Sequence, residues 1–233
     1  MNDVLVIAAH PDDEVLGCGG TIVNHIHNCD EVFLMILADG VTSRRYDPQI
    51  ERSKEIVKAK KEIDVRKHEL YAAAEILGIK KDNILHCGLP DQRLDVIPIL
   101  DIIKKIEDLA NKVSPDIVYT HHWGDLNKDH RVVHEATLTA FRPSKPANRD
   151  ISIACFEIPG NMNILQPKRV NMFNPNHFVD ISTSLPIKLK ALKAYTSESR
   201  EAPYPTSLQG VRELSIKRAN DMEYALAEAF VRL

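Results

Sequence analysis

"DVLVIAA" (3–9) is an almost unbroken apolar run of strand-forming residues, and it is the first of a series. A strand with one wet face alternates polar and apolar residues, so a continuous run implies burial on both faces. "EVFLMILAD" (31–39), "NILHCGL" (83–89) and "PDIVYTHH" (115–122) repeat the pattern. Between them lie helix-compatible stretches. "TIVNHIHN" (21–28) is short, and a long charged region ends in "HELYAAAEILGI" with Gly78 as its C-cap. "VIPILDIIKKIEDLANKV" (96–113) carries Pro98 in its expected first turn, and "DHRVVHEATLTAF" (129–141) follows the fourth strand. Repeated strand–helix alternation predicts βαβ units, a mostly parallel sheet and a three-layer α/β fold.

The last third is less regular. "ISIACFEI" (151–158) and "HFVDIS" (177–182) read as strands around an Asn/Pro-rich loop, 160–176. Residues 184–195 and 207–222 read as helices, and "EYALAEAFVRL" fits helix or strand. No internal repeat or low-complexity linker divides the chain, so 1–233 is expected to form one domain. With 44% hydrophobic and 27% charged residues and a net charge of −3, no nucleic-acid partner is implied. No segment approaches the roughly 18 apolar residues of a membrane span. Strand one begins almost at Met1, leaving no room for a signal peptide, and the four cysteines form no C-x-x-C pair. A cytoplasmic location is expected.

The chemistry concentrates where strands end. "HPDDE" (10–14) follows strand one, and "HHWGDLNKDHRVVH" (121–134) ends and follows the fourth. Ligands of open parallel sheets bind beyond the carboxyl ends of the strands. Imidazole and carboxylate groups from two such loops, three ligands with an open position, describe a catalytic Zn2+ site. His10 and Asp13 stand three apart, so a turn entering a helix can aim both at one point. Asp12 lies between them, suited to take a proton from metal-bound water, and Glu14 falls in the first helical turn, where the dipole favours a carboxylate. Taken alone, "HPDDE" fits equally well three acids that merely cap a helix. His130 and His134 share a helical face, and His130, in the first turn and nearer the sheet's end, is the favoured third ligand. His121 and His122 fit either supporting or substrate contacts or buried structural positions. "LGCGGTI" is a poor dinucleotide loop: its glycines are misplaced, and the acids beside it would repel a pyrophosphate. Close packing of a helix or loop on the sheet explains those glycines better.

These blocks bear a resemblance. "VLVIAAHPDDEVLGCGGTI" resembles the signature of the PIG-L/LmbE-like zinc-dependent N-acetylglucosaminyl deacetylases, and "DLNKDHRVVHEATLTAFRP" is similar to a later family block. The resemblance implies a Rossmann-like fold and hydrolysis of an acetamido group on a sugar or sugar conjugate. It makes His10, Asp13 and His130 the zinc ligands and Asp12 the general base, and it keeps Asp129, beside His130, among the catalytic residues. It casts Arg66 as a sugar contact. A soluble acetylated sugar is the expected partner; members of the family are often multimeric, which allows a homo-oligomer, but no stretch here specifies a partner surface. Two positions depart from the pattern: Asn127 and Tyr204 stand where many members carry histidine. Asn127 can donate to an oxyanion but cannot protonate an amine near neutrality. The acid is then His121, His122 or His134, or Asp12 shuttles the proton both ways. Alternatives are a related hydrolase of non-sugar amides, a member weakened at those two positions, and, on the ligand set alone, an iron oxygenase.

Overall fold

The chain builds a seven-stranded sheet between helical layers. The structure, a computed structural model, describes residues 1–45, 52–144, 150–162, 172–220 and 222–233. The strands are β1 (Asp3–Ala8), β2 (Glu31–Ala38), β3 (Ile84–Leu89), β4 (Ile117–His121), β5 (Ser152–Phe156), β6 (His177–Asp180) and β7 (Ala227–Arg232). Their order in the sheet is β3-β2-β1-β4-β5-β7-β6. The first five pair in parallel, and β7 is antiparallel to both β5 and β6. The chain winds outward from β1 to β3 and then returns to lay β4 on the other side of β1. A crevice opens at such a reversal, and here the carboxyl ends of β1 and β4 flank it.

The helices are α1 (Asp13–His27), α2 (Arg52–Leu77), α3 (Ile99–Val113), α4 (Lys128–Ala140), α5 (Leu185–Ala194) and α6 (Leu208–Ala219). One sheet face, with Val4, Val6, Leu34 and Phe156, packs against Ile22, Leu70, Ala191 and Val211 from α1, α2, α5 and α6. The other face, with Leu5, Ile7 and Val118, packs against Ile102 and Ile106 of α3 and Val133 of α4. Central strands covered on both sides explain the continuous apolar runs. Among the described residues no helix is long and apolar enough to cross a membrane.

Two local expectations need adjustment, and one ambiguity is resolved. The first helix begins at Asp13, in keeping with Glu14 in its first turn, but it runs on through the glycines as one element to His27 and breaks only at Cys18 (φ −146°). Glycine weakens helix propensity, but tertiary packing requires it here. A Cβ on Gly17 would lie 2.3 Å from Phe156 Cδ2, and one on Gly20 would lie 2.7 Å from Ile181 Cγ2. The glycines therefore let α1 press onto the sheet. Pro98 precedes α3 as its N-cap rather than lying in its first turn. The ambiguous C-terminal segment is a strand, because β5 and β6 offer it two antiparallel partners. Asp47 and Pro48 of the polar stretch, and 163–171 of the Asn/Pro-rich loop, lie outside the described residues.

Gly17→Ala should destabilise the fold by about 1–3 kcal/mol through this overpacking. A urea midpoint unchanged from wild type would show that the Phe156 ring gives way freely.

Candidate metal centre

β1 ends at Ala8, and the next residues turn into α1 at the floor of the crevice. The Ala9 N–H donates to His121 Nε2 at 2.9 Å, tying this turn to the end of β4. His10 N–H donates to Asp13 Oδ2 at 2.8 Å, folding the tetrapeptide back on itself. From β4, residues 122–127 lead into α4. Asn127 caps that helix by accepting the Asp129 N–H on its side-chain oxygen at 2.9 Å, which places His130 in the first turn.

Three ligand atoms meet here. His10 Nδ1 is 3.2 Å from Asp13 Oδ2 and 3.2 Å from His130 Nε2, and His130 Nε2 is 3.3 Å from Asp13 Oδ2. Neighbouring ligands of a tetrahedral ion with bonds near 2.0–2.1 Å lie about 3.3 Å apart, so the triangle suits a small divalent metal. All three residues line a cavity of about 470 Å³, which leaves a side open to a fourth ligand.

The far nitrogens of the two rings are also engaged. His10 Nε2 lies 3.0 Å from Asp91 Oδ1 and 3.1 Å from Asp129 Oδ2. His130 Nδ1 lies 2.9 Å from Asp125 Oδ2, although not aligned as a hydrogen bond. A carboxylate behind each imidazole fixes its tautomer and raises its basicity as a ligand. Two further groupings, His121–Asp125–His130 and His10–Asp91–Asp129, also have metal-ligand spacing. Each uses a carboxylate from behind the rings and an imidazole of the first triangle, and neither includes the cavity-lining Asp13. The first triangle is the coherent site.

Electrostatics agree. Asp13, Asp91, Asp125 and Asp129 are all buried around the two imidazoles. Burial alone would raise the Asp13 carboxyl, but His130, His121 and His10 hold it well below the usual carboxylate range. Burial disfavours a His130 cation, yet Asp13 and Asp125 push its pKa up to about 9. His10 is likewise raised well above its ordinary value, against burial, by Asp129, Asp13 and Asp91. A site that draws protons onto two buried imidazoles has the potential to draw a divalent cation instead.

Asp12 stands at the cavity wall in a left-handed backbone conformation, φ 103° and ψ −26°. Such a non-glycine backbone costs of order 1–3 kcal/mol and is worth its strain chiefly at working sites. Its side chain makes no helix-capping bond, so at this residue the capping reading of "HPDDE" does not hold. Instead Oδ2 accepts from Arg66 Nη2 at 3.2 Å. Burial raises the Asp12 pKa to about 6, with Arg66 opposing and Asp13 adding to the rise. Arg66 also donates to the Pro11 carbonyl, and it lines the cavity from α2.

Other expected residues fall elsewhere. Asp129, expected among the catalytic groups, lies behind His10 and accepts the Gln92 and Leu94 N–H groups at 2.8 and 3.0 Å. Its position two residues into the α4 capping turn points it at the loop after β3 rather than at the cavity. His134 is a turn deeper, with Nδ1 2.8 Å from the His121 carbonyl. His122 accepts the Gly124 N–H and stacks on Trp123 at 3.8 Å. His121 is fully buried and stacks on His130 at 3.9 Å. Tyr204 is 61% exposed. Asp91 and Asp125 went unnoticed in the sequence. Asp91 stands just after β3, so the same strand-end rule would have marked it, whereas Asp125 was one polar residue among many.

Residues 5–141 match the family model described as PIG-L: GlcNAc-PI de-N-acetylase. Over 200 residues the chain is 26% identical to the uncharacterized deacetylase YaiS of Escherichia coli (strain K12), covering 83% of this chain and 90% of that protein. Over 206 residues it is 28% identical to the diacetylchitobiose deacetylase of Thermococcus kodakarensis, covering 85% and 70%. Among solved structures it is similar in fold to the N,N'-diacetylchitobiose deacetylase from Pyrococcus horikoshii. The TM-score is 0.75 at 22% identity, over 100% of this chain and 84% of that one.

Asp129→Asn should weaken divalent-metal binding about 10–100-fold, because His10 loses a charged partner behind its ring. Calorimetric titration of metal-stripped protein measures this, and an unchanged affinity would leave the orientation of His10 to Asp91.

Proposed function

The chain belongs to the PIG-L GlcNAc-PI de-N-acetylase family and is a hydrolytic N-deacetylase, and from that premise we propose that it removes the acetyl group from an N-acetylated amino sugar or sugar conjugate, with zinc held by His10, Asp13 and His130. The observation that carries this reading is the triangle of ligand atoms facing the cavity beside Asp12. A zinc ion there supplies a Lewis acid and a bound water acidified to a pKa of about 7.

The chain's own groups supply the rest. Asp12, with its carboxyl pushed up toward neutrality by burial, accepts a proton as the water attacks the acetyl carbon. Collapse of the tetrahedral intermediate breaks the C–N bond, and the leaving nitrogen needs that proton back. His121, His122 and His134 lie away from the cavity lining, so Asp12 carries the proton in both directions. The side-chain oxygen of Asn127 is bound to the Asp129 N–H, leaving its NH2 group as a donor for the oxyanion. Arg66 steadies the Asp12 carboxylate and offers the substrate a cationic wall.

A cavity of about 470 Å³ falls in the range of small-molecule pockets. The diacetylchitobiose deacetylases among its relatives favour a sugar over a non-sugar amide. Four free cysteines, two of them buried, support a cytoplasmic setting.

Purified protein should carry about one zinc per chain and release acetate from at least one member of a panel of N-acetylated sugars. Asp12→Asn should keep its metal and lose turnover by about a hundredfold or more. Full activity in that variant would remove Asp12 from the base role, and iron in place of zinc would overturn the metal assignment.

A further inference from the structure

Glu14, the last residue of "HPDDE", and Tyr195, at the end of α5, have no part in the mechanism above, yet both are buried. Glu14 touches the strained backbone of Asp12, and Tyr195 touches Glu14. Four non-glycine residues have positive φ among the described residues: Asp12, Cys29, Gln92 and Ser114. The other three lie between 53° and 63°, close to the left-handed well near 57°, whereas Asp12 lies at 103°. Something must hold it there, and its own side chain makes no capping bond to do so.

Two restraints act on it from opposite sides. The Asp12 N–H donates to Glu14 Oε2 at 3.0 Å, and the hydroxyl of Tyr195 is bonded to Glu14 Oε1. On the other side Arg66 Nη2 binds both the Pro11 carbonyl and Asp12 Oδ2. The loop closes where the Arg66 guanidinium sits 5.1 Å above the Tyr195 ring. Asp12, Glu14, Tyr195 and Arg66, drawn from β1–α1, α5 and α2, thus form one ring of contacts around a single peptide unit. Tyr195 lines the cavity, but among the described residues no hydrogen bond or ion pair joins its side chain or that of Glu14 to His10, Asp13 or His130. Asp13 is anchored separately, by accepting the His10 N–H.

We propose that Glu14 and Tyr195 are positioning residues that lock the Asp12 peptide in its left-handed conformation and so aim the base at the metal-bound water. The proposal rests on the assignment of Asp12 as the base. Rotation about the Asp12 N–Cα bond moves every atom beyond it relative to β1, including the carboxylate. Glu14 blocks that rotation by holding the N–H, and Tyr195 holds Glu14. A conserved-length side chain with an oxygen acceptor at position 14 is therefore what the site requires, and the negative charge is secondary.

The test uses three full-length variants: Tyr195→Phe, Glu14→Gln and Glu14→Ala. Each is compared with wild type for kcat, KM, bound zinc and melting temperature, using whichever acetylated sugar wild type hydrolyses. Glu14→Gln keeps an acceptor for the Asp12 N–H and should stay within about threefold of wild type in kcat. Glu14→Ala should fall about a hundredfold and Tyr195→Phe about tenfold, as expected for a misaimed catalytic group. KM and zinc content should change less than about twofold. In crystals of Tyr195→Phe, Asp12 should relax toward negative φ or show two conformers. Wild-type kcat in both Tyr195→Phe and Glu14→Ala overturns the proposal, as does equal loss in Glu14→Gln and Glu14→Ala. Parallel falls in zinc content and melting temperature mark a merely structural role and overturn it too. If Glu14→Ala does not fold, the other two variants decide. Should wild type bind zinc but release no acetate, the deacetylase reading fails, and the Asp12 backbone in the Tyr195→Phe crystal alone decides this one: an unchanged φ of 103° refutes it.

Discussion

Four aspartates buried at one end of a sheet would repel one another unless each were answered, and this requirement organises the structure around the crevice. Asp13 is met by three imidazoles, Asp129 by two backbone N–H groups and the His10 ring, and Asp91 by the same ring and by the Ser43 hydroxyl. Asp125 accepts from the Asn127 N–H and the Asn161 side chain, and lies against His130. The loops after β1, β2, β3, β4 and β5 are thereby tied to one cluster. A buried charge network gains little net stability, since desolvation offsets most of the attraction. What it secures here is a register: the rings of His10 and His130 have one orientation each, with their inner nitrogens converging.

A second buried cluster holds the platform. Glu228 on β7 accepts the Gly20 and Thr21 N–H groups, the Thr21 hydroxyl and the Lys188 ammonium, at 2.6–2.8 Å. Lys188 also donates to the Leu16 carbonyl. These bonds satisfy backbone groups freed where α1 breaks at Cys18, so the break costs little in unpaired polar atoms. With Gly17 against Phe156 and Gly20 against Ile181, they press the helix that carries Asp13 onto β5, β7 and the turn before α5. The site's precision is set by this second cluster and the close packing beneath it. The proposed metal ligands then project from a turn held in place by this packing.

Much of this was legible beforehand, for identifiable reasons. Four of the five parallel strands announced themselves because double-sided burial demands continuous apolar residues. His10, Asp13 and His130 could be singled out because ligands of an open parallel sheet gather at strand ends, and their spacings of three and of a first helical turn suit convergence. The run of α1 through its glycines was not legible, because they look like a loop until Phe156 and Ile181 are seen against them. The role of Asp129 was misplaced because adjacency to His130 in sequence does not reveal that a helix cap turns it toward His10.

By itself, the sequence determined the alternation of strands and helices and which strand ends carry ionisable groups, since these follow from local periodicity and from residue types a few positions apart. Only the tertiary structure decided which of those groups face one another. Asp91 and Asp129 reach one ring of His10 from segments 81 and 119 residues away, and Tyr195 reaches Glu14 from 181 residues away. The backbone of Asp12 belongs to the same class. No local rule places an aspartate at φ 103°, and it stays there because α2 and α5, packed on the same sheet face, supply the groups that hold it.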